Sequence, residues 1–285
     1  MIVPRLEGGL GNQLFIYAFA RAAAVRSGLP LLLDTVNGYR ADAYGRSYAL
    51  DAFALEAPRA PEELVRPYRP GSVSLKWLRR VNRVLPLEWR HVLEERKLWE
   101  PRLRRYRPRQ SVYLMGYWQR EGYFEDCAQT LRGDFRFARE PDARNRELGE
   151  AMRAEESVFV HVRTQDYAHV LSPRYYEAAL GRIRERVARP RFYVFADEPE
   201  AARARLPLGA GEADWITHNA GGSGTEDLRL MTQCRHAVVA NSTFSWWGAW
   251  LGAHAGQVVV APAAFGYRAA PAAGWETIGR EGCDG

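Results

Sequence analysis

Four short stretches hold residues whose types and spacing suit a phosphorylated ligand. The first, His161-Val162-Arg163-Thr164-Gln165-Asp166, closes the apolar run Val158–Val162. Alternate side chains of a strand share a face, so His161 and Arg163 fall on one side and Val160 and Val162 on the other. A guanidinium at the end of a central strand is costly unless it is paired or faces a ligand. Its planar fork suits a diphosphate, and Asp166 is spaced to hold it in orientation. A buried Arg163–Asp166 ion pair with a structural role is the competing reading.

The second stretch is Asn241-Ser242-Thr243, which leads into Phe244-Ser245-Trp246-Trp247. Hydroxyls and unpaired N–H groups at a helix start can cradle a phosphate. Trp246, Trp247 and Trp250, at neighbouring helical positions, read as core more readily than as sugar-stacking platforms. The third is Gly8-Gly9-Leu10-Gly11-Asn12-Gln13. Glycines such as Gly9 and Gly11 let backbone approach a ligand closely, but the Lys-Ser/Thr of a P-loop and the dinucleotide glycine spacing are both missing. A tight turn capped by Asn12 explains the same residues. The fourth is Asp197-Glu198, whose carboxylates either face a ligand or cap a helix starting at Pro199.

No His/Cys cluster has metal-ligand spacing, and there is no Asp-x-Asp to anchor a cation on a diphosphate. A transferase without such a metal must neutralise a departing nucleotide diphosphate with fixed cations and N–H dipoles. Arg163 and the Ser242/Thr243 helix start supply that combination. No cofactor and no metal are expected.

These residues need strand ends to position them. Ile2–Leu6, a glycine turn, a helix from Asn12 and a strand at Leu31–Asp34 read as a βαβ unit. The middle, roughly Pro58 to Pro108, is proline-punctuated and arginine-rich, and Gln110–Tyr117 reads as a further strand. Strands at 158–162, 192–195, 237–240 and 258–261 alternate with helices at 173–187, 225–234 and 244–251. That rhythm predicts a parallel sheet covered by helices, with ligands beyond the carboxyl ends of its strands. The polar stretch Glu140–Arg153 is the expected domain boundary, giving units 1–150 and 151–285.

The chain has 285 residues, 47% of them hydrophobic, which is enough for two modest domains. No apolar run approaches the roughly 18 residues of a membrane span, and Arg21 interrupts the best N-terminal candidate. Three scattered cysteines, Cys127, Cys234 and Cys283, fit reduced thiols, so a cytoplasmic location is expected. The net charge of +6 is uneven: residues 66–109 hold fourteen Arg or Lys against four Glu. Tyr68, Trp77, Trp89, Trp99 and Tyr106 interleave with them. A solvated helical region is the plain reading, and peripheral contact with an anionic membrane the sharper one. No nucleic-acid motif accompanies the charge.

Gly8–Gln13, His161–Tyr167 and Asn241–Leu251, in this order and spacing, resemble the α-1,2-fucosyltransferases of glycosyltransferase family 11, particularly bacterial ones. Thr225-Glu226-Asp227-Leu228-Arg229-Leu230-Met231 and Phe195-Ala196-Asp197-Glu198 are similar to family segments too. The resemblance implies a GT-B-like α/β architecture of two Rossmann-like lobes with parallel sheets facing a central cleft, the acceptor on the first lobe and the GDP-sugar on the second. It implies inverting, metal-independent transfer of L-fucose from GDP-fucose to a galactoside hydroxyl, in bacterial surface glycan synthesis with an acceptor that is often lipid-linked. Under it Arg163 contacts the donor phosphates, Asp166 holds that loop, and His161 and Asp227 lie near the guanosine. Ser242 and Thr243, with Asn241 and Ser245 beside them, serve the diphosphate, Asp197 joins the donor site, and Asn12, with Gly9, Gly11 and Gln13, reaches the cleft. Asp166 and His169 are the candidates for general base. The family usually carries a second arginine and a glycine where this chain has Thr164 and Gln165. That departure motivates two alternatives: another GDP-6-deoxyhexose or other nucleotide sugar as donor, or a non-catalytic nucleotide-sugar-binding relative.

Overall fold

The computed structural model describes residues 1–95, 100–164, 170–209, 211–222, 224–263, 265 and 269–279. The chain divides into two compact units, Met1–Arg139 and Glu140–Gly285.

The first unit opens with β1 (Ile2–Pro4) and the long helix α1 (Leu10–Ser27). Short helices α2 (Glu62–Val65) and α3 (Val73–Val81) precede β2 (Val92–Glu94), β3 (Val112–Met115) and α4 (Ala128–Asp134). The sheet order is β1-β3-β2, all parallel, with Val3 opposite Tyr113 and Leu93 opposite Leu114. The expected strand at Leu31–Asp34 does run parallel beside β1, but only as isolated bridges such as Ile2 with Leu31. Its hydrogen bonds alternate sides: Leu32 and Asp34 N–H go to β1, while Leu33 N–H goes to the Pro58 carbonyl.

α1 is buried on nearly every side, because most of its positions are apolar and small enough to sit inside the unit. Phe19 stacks on Trp118 at 4.2 Å between ring centroids. The helix's buried charge is matched: Asp134, almost fully buried, accepts from Arg21 Nε and from the Tyr17 hydroxyl, both at 2.8 Å.

The second unit starts with α5 (Ala143–Ala154). Then come β4 (Ser157–Val162), α6 (Pro173–Arg186), β5 (Arg191–Ala196), α7 (Pro199–Arg203), β6 (Ala213–Ile216) and α8 (Thr225–Gln233). β7 (His236–Val238), α9 (Thr243–Leu251), β8 (Val259–Pro262) and β9 (Glu276–Ile278) complete it. The two units divide between Arg139 and Glu140, at the start of the polar stretch Glu140–Arg153. That polar stretch is a helix, capped by the Asp142 carboxylate on Asn145 N–H at 2.8 Å, and it packs against α8.

The six strands run parallel in the order β6-β5-β4-β7-β8-β9. β4 to β6 build outward on one side, and the chain then returns to lay β7 on the other side of β4. This reversal opens a crevice at the carboxyl ends of β4 and β7, where open α/β sheets take their ligands. The core beneath includes Val158, Val160, Val162, Tyr175, Val194 and Val260. Gly248 lets α9 lie close on α8: a Cβ there would come within 2.9 Å of the Met231 Cβ.

Candidate active site

The crevice is lined by the residues that end β4 and those that follow β7. His161 is the next-to-last residue of β4 and is buried. Its ring lies 5.8 Å from that of Phe244 at the start of α9. Burial, and then the nearby Arg163 charge, push its pKa down to about 3, with Asp197 opposing. The imidazole is thus neutral at physiological pH, and its Nδ1 is buried without a hydrogen-bond partner among the described residues. Arg163 follows, half-buried, just past the strand end.

Thr164 is fastened to the next strand. Its backbone N–H donates to Asp197 Oδ1 at 2.9 Å, and its hydroxyl lies 2.8 Å from the same oxygen and 3.0 Å from Glu198 Oε2. Glu198 N–H also donates to Asp197 Oδ1, at 3.1 Å. The Asp197 carboxylate therefore does a job that neither sequence reading named. It ties the loop after β4 to the loop after β5, while the N-cap of α7, Glu198, makes no side-chain cap.

Ser242 is the N-cap of α9, its hydroxyl accepting from Phe244 N–H at 3.3 Å. Asn241 and Thr243 flank it, half-buried. Ser245 is fully buried and donates to the Ser242 carbonyl at 3.3 Å, so it stiffens the first turn from inside. Trp246, Trp247 and Trp250 are core: Trp246 packs against the other two and Trp275, and its Nε1–H donates to the Ala270 carbonyl at 2.9 Å.

Asp227 sits in the first turn of α8, whose N-cap Gly224 is left-handed (φ 75°) and packs on Phe244. Burial pushes its pKa up, while Asn219 and His218 oppose the shift. Asn219 Nδ2 donates to Asp227 Oδ1 at 2.9 Å. Asn219 and the buried Asn145 of α5 then exchange reciprocal amide hydrogen bonds, both 3.1 Å, and His218 Nε2 lies 3.0 Å from Asn145 Oδ1. Asn145, Asn219 and His218 escaped the sequence reading, which named Thr164 only as a departure from the family pattern. The only signal for Asn219 was its place in the glycine-rich approach to α8.

In the first unit, the glycine turn enters α1. Gly8 requires its residue type, with φ 73° and a would-be Cβ only 2.6 Å from Asn12 Nδ2. Gly9, not Asn12, is the N-cap. Gln13 is fully buried: its Nε2 donates to the Gly8 and Ser47 carbonyls and its Oε1 accepts from Ala49 N–H, all at 2.9 Å. Gln13 acts by fixing this loop. Gly11 is also buried, and Asn12 Oδ1 accepts from Gln119 Nε2 at 2.9 Å.

Asp166 and His169 lie outside the described residues, as do Gln165 and Cys283. Among the described residues there is no group of three or more His, Cys, Asp or Glu placed to hold a metal, and no helix long and apolar enough to cross a membrane.

A parallel sheet with an arginine and a capped helix start at its switch point is an arrangement in which open α/β folds take anionic ligands. Comparison narrows the class, since the sequence model for glycosyl transferase family 11 matches residues 97–272. The chain belongs to that family and is a glycosyltransferase. It is similar to an alpha-1,2-colitosyltransferase of Escherichia coli, 28% identical over 92% of this chain and 91% of that one. A galactoside alpha-(1,2)-fucosyltransferase 2 of Mus musculus is 34% identical over 33% of this chain and 30% of its own length. Among solved structures, fucosyltransferase NodZ from Bradyrhizobium shares the fold, with a TM-score of 0.54 at 16% identity over 87% of this chain and 90% of NodZ.

Proposed function

We propose that this chain transfers L-fucose from GDP-fucose to a galactoside hydroxyl, in α-1,2 linkage with inversion and without a metal, in bacterial surface glycan synthesis. The observation that carries the reading is the β4/β7 switch point, with Arg163 just past the end of β4 and the Ser242-capped start of α9 following β7. In the reaction the acceptor oxygen forms a bond to the sugar's anomeric carbon as the bond from that carbon to the diphosphate oxygen breaks. GDP leaves with the electron pair toward Arg163 and the α9 amides, and the acceptor's proton passes to a base, with Asp166 and His169 as candidates. His161, neutral and with Nδ1 unpartnered, takes the nucleoside. Asp227 accepts from the paired N–H donors of guanine, a pattern adenine lacks. The NodZ structure soaked with GDP-fucose supports this donor class by shared fold. The acceptor is read as lipid-linked.

Thermal-shift titration with GDP, UDP, CDP and dTDP tests the donor. A rise in melting temperature selective for GDP is expected; indifference to GDP overturns the assignment.

A second donor is favoured by one observation, the full-length likeness to a colitosyltransferase. Colitose lacks the 3-hydroxyl of fucose, and Thr164 stands where the resemblance puts a second arginine. Acceptor-free hydrolysis of GDP-fucose and GDP-colitose side by side separates the two sugars.

A further inference from the structure

We infer that the first unit docks on an anionic lipid bilayer through the outward face of α3 and the turn that follows it. The inward face is firmly seated. Leu75 is buried with Val3, Val65 and Val92, and Leu78 packs on the same cluster. Just past the helix, Asn82 Nδ2 donates to the Val92 carbonyl, and its Oδ1 accepts from His91 N–H at 2.9 Å.

The outward face is apolar where water would favour polar residues. Val73 is 83% exposed, Trp77 61% and Val84 83%, and Trp89 nearby is 46% exposed. Val73 and Trp77, four apart, form an apolar stripe on the side of α3 opposite Leu75 and Leu78, and Val84 lies in the turn that follows the helix. Elsewhere among the described residues, the large apolar side chains so exposed are Val25 and Tyr44. Lys76, Arg80 and Arg83 surround the stripe without a carboxylate partner among the described residues, whereas Arg79 is paired with Glu94. The surrounding segment 66–109 carries fourteen Arg or Lys against four Glu.

Charge and size select the occupant. A stable protein interface buries roughly 800 Å² per partner, far more than three or four side chains supply. A nucleic-acid backbone would use the cations and leave the valines in water. A basic helix with a few large apolar residues suits a bilayer surface, where Trp settles at headgroup depth and cations meet anionic lipid. The inference rests on the proposed transferase reading only for its purpose, bringing the enzyme to a membrane-borne acceptor; the binding itself needs no nucleotide.

Co-sedimentation of the full chain with vesicles tests it, using phosphatidylcholine alone and phosphatidylcholine mixed with phosphatidylglycerol. Binding is expected to the mixed vesicles only and to weaken as salt rises. Trp77→Ala and the double variant Arg80→Glu/Arg83→Glu should each lower vesicle affinity at least about tenfold. Their GDP-dependent thermal shift and their transfer to a soluble acceptor should match the parent's. Equal binding to neutral and anionic vesicles, or variants that bind like the parent, overturns the inference. So does parent self-association in sedimentation velocity that Trp77→Ala abolishes, or tighter binding to duplex DNA than to the mixed vesicles. Vesicle binding without transfer would count against the transferase reading alone, and transfer without vesicle binding against the docking face alone.

Discussion

The backbone N–H and the side-chain hydroxyl of Thr164 converge on a single carboxylate oxygen, Asp197 Oδ1, at 2.9 and 2.8 Å. Thr164 is buried, so removing the carboxylate strands a buried donor. Asp197→Ala is expected to cost about 1–2 kcal/mol of stability and to loosen the residue next to Arg163. Donor KM should rise more than kcat falls. Urea unfolding with steady-state kinetics checks both, and Asp197→Asn, which keeps one acceptor oxygen, should recover part of each loss.

Arg163→Ala removes the proposed phosphate clamp. Transition-state stabilisation should fall by ~3 kcal/mol, about a hundredfold in rate, with little change in melting temperature. Near-parental turnover in this variant would rule out Arg163 as the clamp.

His161 gives stability a pH dependence of definite sign. Its folded pKa of about 3 lies below the unfolded value of 6.5. Above pH 6.5 the ring is neutral in both states and costs nothing. As pH falls below 6.5 the unfolded chain takes up a proton that the folded chain refuses, so stability drops until folded His161 also protonates near pH 3. The slope is at most ~1.4 kcal/mol per pH unit, about 2 kcal/mol by pH 5. Urea midpoints at pH 7 and pH 5 should differ less in His161→Gln than in the parent.

Asn219 holds Asp227 and is itself held by Asn145. On the proposed reading, Asn219→Ala lets the carboxylate swing from the base it recognises. GDP affinity should fall about tenfold and preference for GDP over ADP should shrink, while kcat at saturating donor stays near the parent's. Calorimetry with the two nucleotides distinguishes this from a general loss of folding, which would not change their ratio.

Gly248→Val tests the helix contact behind the crevice. The added atoms meet Met231 and should cost about 1–3 kcal/mol. The accompanying Met231→Ala should restore part of that loss.

Most of the second unit was legible because its strands and helices follow their periods cleanly. Val158–Val162 and Pro173–Val187 emerge within a residue of the strand and helix observed. What escaped was short or polar. β2, β6 and β9 have three or four residues each and, unlike the equally short β7 and β8, do not sit in a continuous apolar run. α5 read as a boundary because two of its three buried residues, Asn145 and Gly149, are not hydrophobic. In the site, motif residues such as His161, Arg163 and Ser242 were visible from strand ends and spacing. The pairings that support them were not: Thr164 and Asp197 are 33 positions apart, Asn145 and Asn219 74, and only the fold brings them together.

The last strand carries a further consequence. β9 pairs with β8 through Val260, Ala261 and Pro262, and Trp275, just before it, lies against Trp246. A chain cut before Trp275 would turn β8 into an open sheet edge and uncover indole surface behind it. Such an edge is a template for another chain's strand, so the expected product of that truncation is insoluble aggregate rather than a smaller soluble enzyme.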